Sequence, residues 1–226
     1  MTTVTMNNDQ ARFNMIEQQI RPWNVLDPEV LQHLGMLRRE DFVPSAHRAL
    51  AFADIEIPLL PNAGPEQHML TPRLEAHMFQ ALALRNTDTV LEVGSGSGFM
   101  AALLAARAEF VHSVEIEPQL AELARANLQR AGVANVSVEI GDAAQGWAVK
   151  APYDAIVLSG STPVLSEALL HQLKLGGRLV AVVGEAPVMV LQLVTRTGEE
   201  SFTTARLLET QLASLLNAPQ RNKFVF

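Results

Sequence analysis

Short apolar runs alternate with helical segments along the chain from Thr89 onward. The runs are TVLEV, FVHSVEI, VSVEI, YDAIVLS and RLVAVVG. Their alternation with helical spacing predicts repeated strand–helix–strand units. Because each run is continuously apolar, we expect strands that are buried on both faces of a mostly parallel sheet, with helices on both sides. The sequence therefore predicts an α/β fold.

Two further runs extend this sheet near the C-terminus. Residues 188–195 and 201–208 are joined through Arg196-Thr197-Gly198-Glu199, which has the composition of a hairpin turn. We expect an antiparallel C-terminal strand at the edge of the sheet. The remaining NAPQRNKFVF is predicted to be a tail whose final Phe-Val-Phe docks on an apolar surface.

The residues before position 71 predict a helical prefix and a connecting segment. The prefix runs from Asp9 to about Ala53, and its Asp27-Pro28 pair is typical of a helix cap followed by a first-turn proline. Residues 55–69 contain three prolines and a glycine, which predicts a linker or a lid. We therefore predict a prefix with its connector over 1–70 and a main domain over 71–226, with one compact unit as the alternative.

Composition excludes several classes of function. The chain has 226 residues and a net charge of −7, so a phosphate backbone would meet repulsion and nucleic acid is not an expected partner. The absence of cysteine fits a reducing compartment, and no His cluster has metal-ligand spacing. No secretory signal and no apolar stretch of membrane-spanning length is visible. We expect a cytoplasmic protein with no membrane partner and no metal, and sequence does not give its oligomeric state.

A glycine-rich loop, LEVGSGSGF, follows the first predicted strand and precedes a helix. Gly94, Gly96 and Gly98 allow a tight turn and a close approach of a ligand to the backbone, although a purely structural turn is the alternative. The spacing G-x-G-x-G places Phe99 where a dinucleotide site has its third glycine, and the loop lacks the lysine of a phosphate-binding loop. The acidic Glu92 suits a cationic ligand. The loop thus disfavours NAD and nucleoside triphosphates.

Two more acids lie at the ends of the following strands. Glu115 lies about 20 residues after the loop, where a carboxylate typically binds ribose hydroxyls. Asp142 follows the third strand, at the same edge of the sheet, and can accept a hydrogen bond from an adenine amino group. Each acid alone would more often be a solvated loop residue. Together with Glu92 they indicate S-adenosylmethionine.

The chain resembles the protein-L-isoaspartate (D-aspartate) O-methyltransferases over roughly residues 12 to 210. The resemblance rests on the glycine loop, on SVEIEPQLAELARANL, GDAAQGW, PYDAIVLSGSTP and QLKLGGRLVAVVGE, and on the upstream RREDFVP. It implies a Rossmann-like class I methyltransferase fold. It also implies transfer of a methyl group from S-adenosylmethionine to the α-carboxylate of isoaspartyl residues in damaged proteins or peptides, releasing S-adenosylhomocysteine. Ser95, Ile116 and Ala143 join the expected cofactor-binding residues.

The resemblance fails at two places on the acceptor side. Aligned on Pro72, the family serine falls on Leu70 and its threonine on His68, while Thr71 offers a hydroxyl one position away. Thr71 is therefore a weak acceptor-side candidate, with a helix N-cap as the alternative. The family's Arg-Phe-Val-Pro-Leu stretch is replaced by Leu208–Leu212. Ser159, in the run after the fourth strand, is a second weak candidate that can bind a carboxylate or cap a helix.

These departures leave two other functions open. One is a class I methyltransferase with a different small-molecule or protein acceptor. The other is a regulatory protein that binds S-adenosylmethionine without turnover. Conversion of S-adenosylmethionine to S-adenosylhomocysteine in the presence of an isoaspartyl peptide separates them. A carboxylate is already ionised at pH 7, so the expected reaction needs no general base.

Overall fold

The N-terminal part is helical, as predicted, in a computed structural model that describes residues 8–221. Its helices are α1 (Asn8–Met15), which continues as a π-helical turn (Ile16–Ile20), and α2 (Pro28–Met36). The Asp27 side chain accepts hydrogen bonds from the backbone N–H groups of Glu29 and Val30 at 2.9 and 3.3 Å. These donors have no partner inside the helix, so the predicted cap is confirmed.

The connecting segment contains a two-stranded antiparallel ribbon of β1 (Ile57–Pro58) and β2 (His68–Met69), in which Pro58 pairs with His68. Helix α3 (Pro72–Leu82) follows directly. The Thr71 hydroxyl accepts a hydrogen bond from the Leu74 N–H at 3.3 Å and caps this helix, as predicted. The predicted docking of the final Phe-Val-Phe lies outside the described residues.

A seven-stranded sheet follows. Its strands are β3 (Thr89–Val93), β4 (Phe110–Glu115), β5 (Val136–Ile140), β6 (Tyr153–Leu158), β7 (Leu173–Glu185), β8 (Val188–Arg196) and β9 (Phe202–Glu209). The spatial order is β5-β4-β3-β6-β7-β8-β9. Strands β3 to β7 are parallel, and the last two strands are antiparallel. The predicted α/β class and the hairpin are confirmed, with two antiparallel strands rather than the single one expected.

Helices lie on both faces of the sheet, but unequally. The helices of the sheet region are α4 (Phe99–Ala105), α5 (Pro118–Arg130) and α6 (Glu167–His171). One face, which includes Val90, packs against α3, α4 and α5 together with the prefix helices. The other face, which includes Leu91, packs mainly against the five-residue α6 and the loop around Trp147. The prefix thus shares one hydrophobic cluster with the sheet, while the division into two domains stays a prediction.

The strand order reverses beside β3. The chain passes from β3 to β4 on one side, and β6 lies on the other side of β3. In open α/β sheets, ligands bind outside the carboxyl ends of the strands at such a switch point. At this edge the Gly94 N–H donates to the Val114 carbonyl at 2.8 Å and the Ser159 N–H donates to the Val93 carbonyl at 2.9 Å. The glycine loop is therefore held where a ligand is expected.

Candidate active site

A cleft with about 980 Å³ of empty space, counted out to its mouth, lies at this switch point. Its walls come from the ends of β3, β4 and β6, from the connecting segment, and from a stretch that follows β9. We call this last stretch, residues 212–217, the wall segment.

The three loop glycines have two different roles. All three have positive φ, at +92° for Gly94, +50° for Gly96 and +82° for Gly98, a conformation that side chains disfavour. Gly94 and Gly96 line the cleft, as does Ser95 between them. Gly98 does not line it. A Cβ atom on Gly98 would lie 3.1 Å from the Ala124 carbonyl oxygen, so this glycine lets the loop pack closely against α5. The structure thus gives Gly98 a packing role, while its predicted contact with the cofactor stays a prediction.

Glu92 lies fully buried at the end of β3 and lines the cleft. Its carboxyl group accepts hydrogen bonds from the hydroxyls of Ser113 at 2.5 Å and Ser159 at 3.3 Å. The Ser95 hydroxyl lies 2.5 Å from that of Ser113 and extends this chain. Burial raises the pKa of Glu92 to about 8. At neutral pH the carboxyl group therefore carries less negative charge than expected from the sequence, and a nearby cation would favour its ionised form.

Glu115, at the end of β4, has both carboxylate oxygens held by loop amides. The Gly96 N–H donates to Oε2 at 2.9 Å and the Glu117 N–H donates to Oε1 at 3.0 Å. Each oxygen keeps a further lone pair for a ligand hydroxyl. Glu115 and the next residue, Ile116, both line the cleft.

Asp142 and Ala143 follow β5 and also line the cleft. The Ala144 N–H donates to Oδ1 of Asp142 at 3.0 Å, and the Asn217 side-chain amide donates to Oδ2 at 2.9 Å. Asn217 belongs to the wall segment, so the proposed adenine-binding acid also connects this segment to the sheet edge. No sequence pattern indicated this contact, which spans 75 residues.

The two acceptor-side candidates occupy different places. Ser159 lines the cleft, with its hydroxyl on Glu92. Thr71 is not among the residues that line the cleft; it borders a smaller pocket with Trp23 and Arg73. Because its hydroxyl already caps α3, the structure favours the capping role. Leu70, in contrast, lines the cleft and is only 5% exposed.

The sequence analysis missed a buried ion pair behind the acceptor side. Arg39 bonds to Glu75, donates from Nε to the Ala51 carbonyl at 2.9 Å and donates to the Leu70 carbonyl at 2.6 Å. Both charged side chains are almost completely buried. Burial raises the pKa of Glu75 to about 7 in spite of Arg39. The pair fixes the backbone at the start of α3. The family-like RREDFVP segment supplied Arg39, but nothing indicated its partner.

The sequence analysis also missed the wall segment. Ser161 donates from its N–H to the Ala213 carbonyl at 2.9 Å, and its own carbonyl accepts from the Leu215 N–H at 2.9 Å. This bridge places residues 212–216 along the cleft. Of the run Leu208–Leu212, which stands in place of the family's Arg-Phe-Val-Pro-Leu, only Leu212 lines the cleft, and its first two residues, Leu208 and Glu209, belong to β9.

The cleft fits S-adenosylmethionine in shape and in chemistry. The loop glycines keep the cleft open beside the backbone. A Cβ atom on Gly96, for example, would occupy space within 3.3 Å of Leu59 Cδ1. Carboxylates suit a ligand with a sulfonium, an ammonium and ribose hydroxyls. Within residues 8–221, no group of three His, Asp or Glu side chains is arranged to hold a metal ion. In the same residues, no helix is long and apolar enough to cross a membrane.

Comparison with solved structures agrees with the fold. Two solved structures each match 92% of this chain. One is a protein-L-isoaspartate O-methyltransferase with a TM-score of 0.76 and 24% identity, of which 65%, just under two thirds, is covered. The other is a Plasmodium falciparum protein described as a putative protein-L-isoaspartate O-methyltransferase in complex with S-adenosyl-L-homocysteine, with a TM-score of 0.74, 18% identity and 98% of that chain covered. At these identities the likeness shows the fold.

Sequence relatives and the family model are more specific. The protein-L-isoaspartate O-methyltransferase of Rhodopseudomonas palustris is 40% identical over 205 residues, covering 90% of this chain and 92% of the relative. That of Methanospirillum hungatei is 41% identical over 192 residues, covering 85% and 87%. The model of the protein-L-isoaspartate(D-aspartate) O-methyltransferase family matches residues 10–218. The chain therefore belongs to this family of S-adenosylmethionine-dependent protein-repair methyltransferases with the class I fold.

Proposed function

We propose that the cleft binds S-adenosylmethionine through the ends of β3, β4 and β5, and that isoaspartyl residues of proteins or peptides enter between the connecting segment and the wall segment. In this arrangement Glu115 binds the ribose hydroxyls, Asp142 accepts from the adenine amino group, and the backbone at Gly94 and Gly96 lies against the methionine part. The Glu115 carboxylate carries the proposal, because two loop amides hold both of its oxygens at the cleft.

The chain contributes orientation and exclusion of water rather than proton transfer. The cofactor supplies a methyl group on a positively charged sulfur. The acceptor carboxylate is already ionised at pH 7, so its oxygen needs no base before it bonds to the methyl carbon. Leu59, Leu70 and Leu215 line the cleft with apolar surface. Holding two reactants in such a closed site can lower the barrier by several kcal/mol.

Calorimetry with S-adenosylhomocysteine tests the cofactor assignment. Glu115→Ala removes charge-assisted hydrogen bonds that contribute about 1.5 to 3 kcal/mol each, so the affinity should fall by roughly tenfold or more. Glu122→Ala, an exposed glutamate on α5 that pairs with Arg125, is the matched control and should leave the affinity unchanged. A folded Glu115→Ala variant with normal affinity would remove the ribose assignment.

Methylation of peptides tests the acceptor. The wild-type protein should methylate a peptide that contains isoaspartate and should not methylate the same peptide with ordinary aspartate. S-adenosylhomocysteine formation gives the rate. If the protein binds the cofactor but methylates no isoaspartyl peptide, the substrate assignment fails, and a different acceptor must be sought.

A further inference from the structure

The charged side chains that line the cleft are almost all negative. Seven carboxyl groups border it, and no Lys or Arg is found among the lining residues that the structure describes. The seven acids are Glu56, Glu66, Glu75, Glu92, Glu115, Glu117 and Asp142. This lining suits a cationic cofactor. It is unfavourable for the second reactant, because the acceptor of the proposed reaction is itself a carboxylate.

An anion that enters such a cleft needs a donor or a positive charge near it. Burial raises the pKa of Glu92 to about 8 and that of Glu75 to about 7, so these two groups repel an anion less than their number suggests. A neutral acid, however, does not attract an anion. The apolar Leu70, at the position of the family serine, has no side-chain donor for the acceptor.

His68 is the one lining side chain, within the described residues, that can become positively charged. It lies in β2, two positions before Leu70, and is half-buried. Its Nδ1 atom lies 3.1 Å from the Pro65 carbonyl oxygen, which can only accept. The proton of a neutral ring is therefore placed on Nδ1, and Nε2 is left for a ligand. Once the ring is protonated, Nε2 becomes a charged donor.

Acidic side chains from several elements line the same cleft as His68. Glu56, from the residues just before β1, interacts electrostatically with His68: burial raises the pKa of this glutamate, and His68 opposes that rise. Glu66 lies two positions away along the chain. Glu75 from α3, Glu92 from β3 and Glu115 from β4 line the same cleft. Histidine is the side chain whose ordinary charge change lies between about pH 5 and 8.

We infer that His68 is the specificity-determining residue that binds the acceptor carboxylate, donating a charge-assisted hydrogen bond from Nε2–H. This inference rests on the proposed function. It replaces the hydroxyl-based contact implied by the family resemblance with an imidazolium contact from the neighbouring ribbon. It also explains how a leucine is tolerated at position 70, since the charge comes from two residues earlier on the same extended stretch.

Steady-state kinetics with an isoaspartyl peptide tests the inference. His68→Gln keeps a polar side chain of similar reach but cannot carry the charge. Because a hydrogen bond to a charged group is lost, kcat/KM should fall by about 10-fold to 150-fold. His171→Gln is the matched control, because His171 lies beside Glu200 and Phe202, away from the cleft, and should leave kcat/KM unchanged. S-adenosylhomocysteine affinity should equal that of wild type in both variants, which also verifies that they fold.

The pH dependence separates a charged contact from a purely structural one. A charged contact needs the protonated imidazole ring, so the wild-type kcat/KM should fall, relative to that of His68→Gln, as pH rises. The ratio of wild-type to His68→Gln rates should be largest at low pH and approach one at high pH. His68→Thr supplies the family hydroxyl and should recover part of the rate that His68→Gln loses. The ratio of the wild-type rate to the His68→Thr rate should change with pH in the same direction.

Two outcomes overturn the inference, and they are distinguishable. If wild type methylates the peptide and His68→Gln does so equally well at every pH, His68 does not bind the acceptor, while the proposed function stands. If wild type binds S-adenosylhomocysteine but methylates no isoaspartyl peptide, the proposed substrate fails and the inference fails with it.

Discussion

Under the proposed arrangement, the cleft has a cofactor half at the ends of β3, β4 and β5 and an acceptor half between the connecting segment and the wall segment. In the cofactor half, the lining side chains are held by other side chains and by loop amides. In the acceptor half, the lining residues are held through hydrogen bonds to main-chain carbonyls. Glu92 and Glu115 represent the first half, with partners at 2.5 to 3.3 Å. Leu70 and Leu215 represent the second: Arg39 donates to the carbonyl of Leu70, and Ser161 accepts from the N–H of Leu215.

This difference shows which positions are chemically constrained. In the cofactor half, a change of side chain removes a hydrogen-bond partner, and so the residue type is restricted. In the acceptor half, the backbone can be held whatever the side chain, so the hydrogen bonds of the fold do not restrict the residue type there. The departures from the family pattern at His68, Leu70 and the C-terminal stretch all fall in the second half.

The largest expected effect concerns the buried pair behind the acceptor half. Arg39→Leu leaves Glu75 without its partner and removes donors from two carbonyl groups, so the free energy of unfolding should fall by about 3 to 5 kcal/mol. Urea unfolding measures this loss. The S-adenosylhomocysteine affinity of the folded protein should stay unchanged, because the pair does not hold the cofactor half.

Arg38→Leu is the control for this change, because Arg38 is the preceding residue and its side chain is 64% exposed. It should cost less than about 1 kcal/mol. Replacing both partners, as Arg39→Met with Glu75→Leu, should restore part of the lost stability. Equal losses at positions 38 and 39 would contradict a special role of the buried pair.

A second prediction concerns pH and Glu92, in the cofactor half. Its folded-state pKa is about 8, against an ordinary value near 4.5. The folded protein therefore keeps this proton where the unfolded chain has released it. The stabilising contribution is complete below about pH 4.5 and is lost as pH rises through about 8. Compared with Glu92→Gln, which does not titrate, wild type should lose about 1 kcal/mol of unfolding free energy per pH unit over this range.

Urea unfolding of both proteins at pH 5, 6, 7 and 8, without cofactor, gives this difference directly. Glu75 is present in both proteins and its charge contributes to the raised pKa of Glu92, so the difference reports Glu92 together with this interaction. Parallel stability curves for wild type and Glu92→Gln would show that Glu92 ionises at its ordinary pH in the folded protein.

The smallest expected effect separates two adjacent positions of the acceptor half. Thr71→Val removes the N-cap of α3 and should cost about 1 kcal/mol of stability without changing isoaspartyl methylation, since Thr71 does not line the cleft. Leu70→Ser adds a hydroxyl inside the cleft and should raise kcat/KM, up to roughly tenfold. A Thr71→Val variant that is stable but methylates more slowly would show that its hydroxyl contacts the acceptor.

Much of the cofactor half follows from local sequence patterns. Alternating apolar runs predict parallel strands, and acids directly after them meet at one sheet edge, as Glu115 and Asp142 do. The caps at Asp27 and Thr71 were also predictable, because an N-cap contact spans only two or three residues. The packing of Gly98 against α5 was not predictable, since the pattern does not say whether a glycine approaches a ligand or another helix.

The acceptor half was not predictable from such patterns because its contacts join residues far apart in the chain. Arg39 and Glu75 are separated by 36 residues, and Asp142 and Asn217 by 75. No periodicity links such positions. The resemblance to the family located the departures at Leu70 and near the C-terminus, but only the fold shows that residues 212–216 replace the expected stretch beside the cleft.

The bridge between Ser161 and the wall segment has a consequence for how the protein assembles during synthesis. A ribosome releases the glycine loop and the acids after β4 and β5 long before residues 212–217. The cofactor half can thus assemble on the nascent chain, while the acceptor half must wait for a closure that joins residues about 50 positions apart. Since long-range closures form late and slowly, we expect the enclosure for a second reactant, together with the Asn217 contact to Asp142, to form after the sheet edge that holds Glu92 and Glu115.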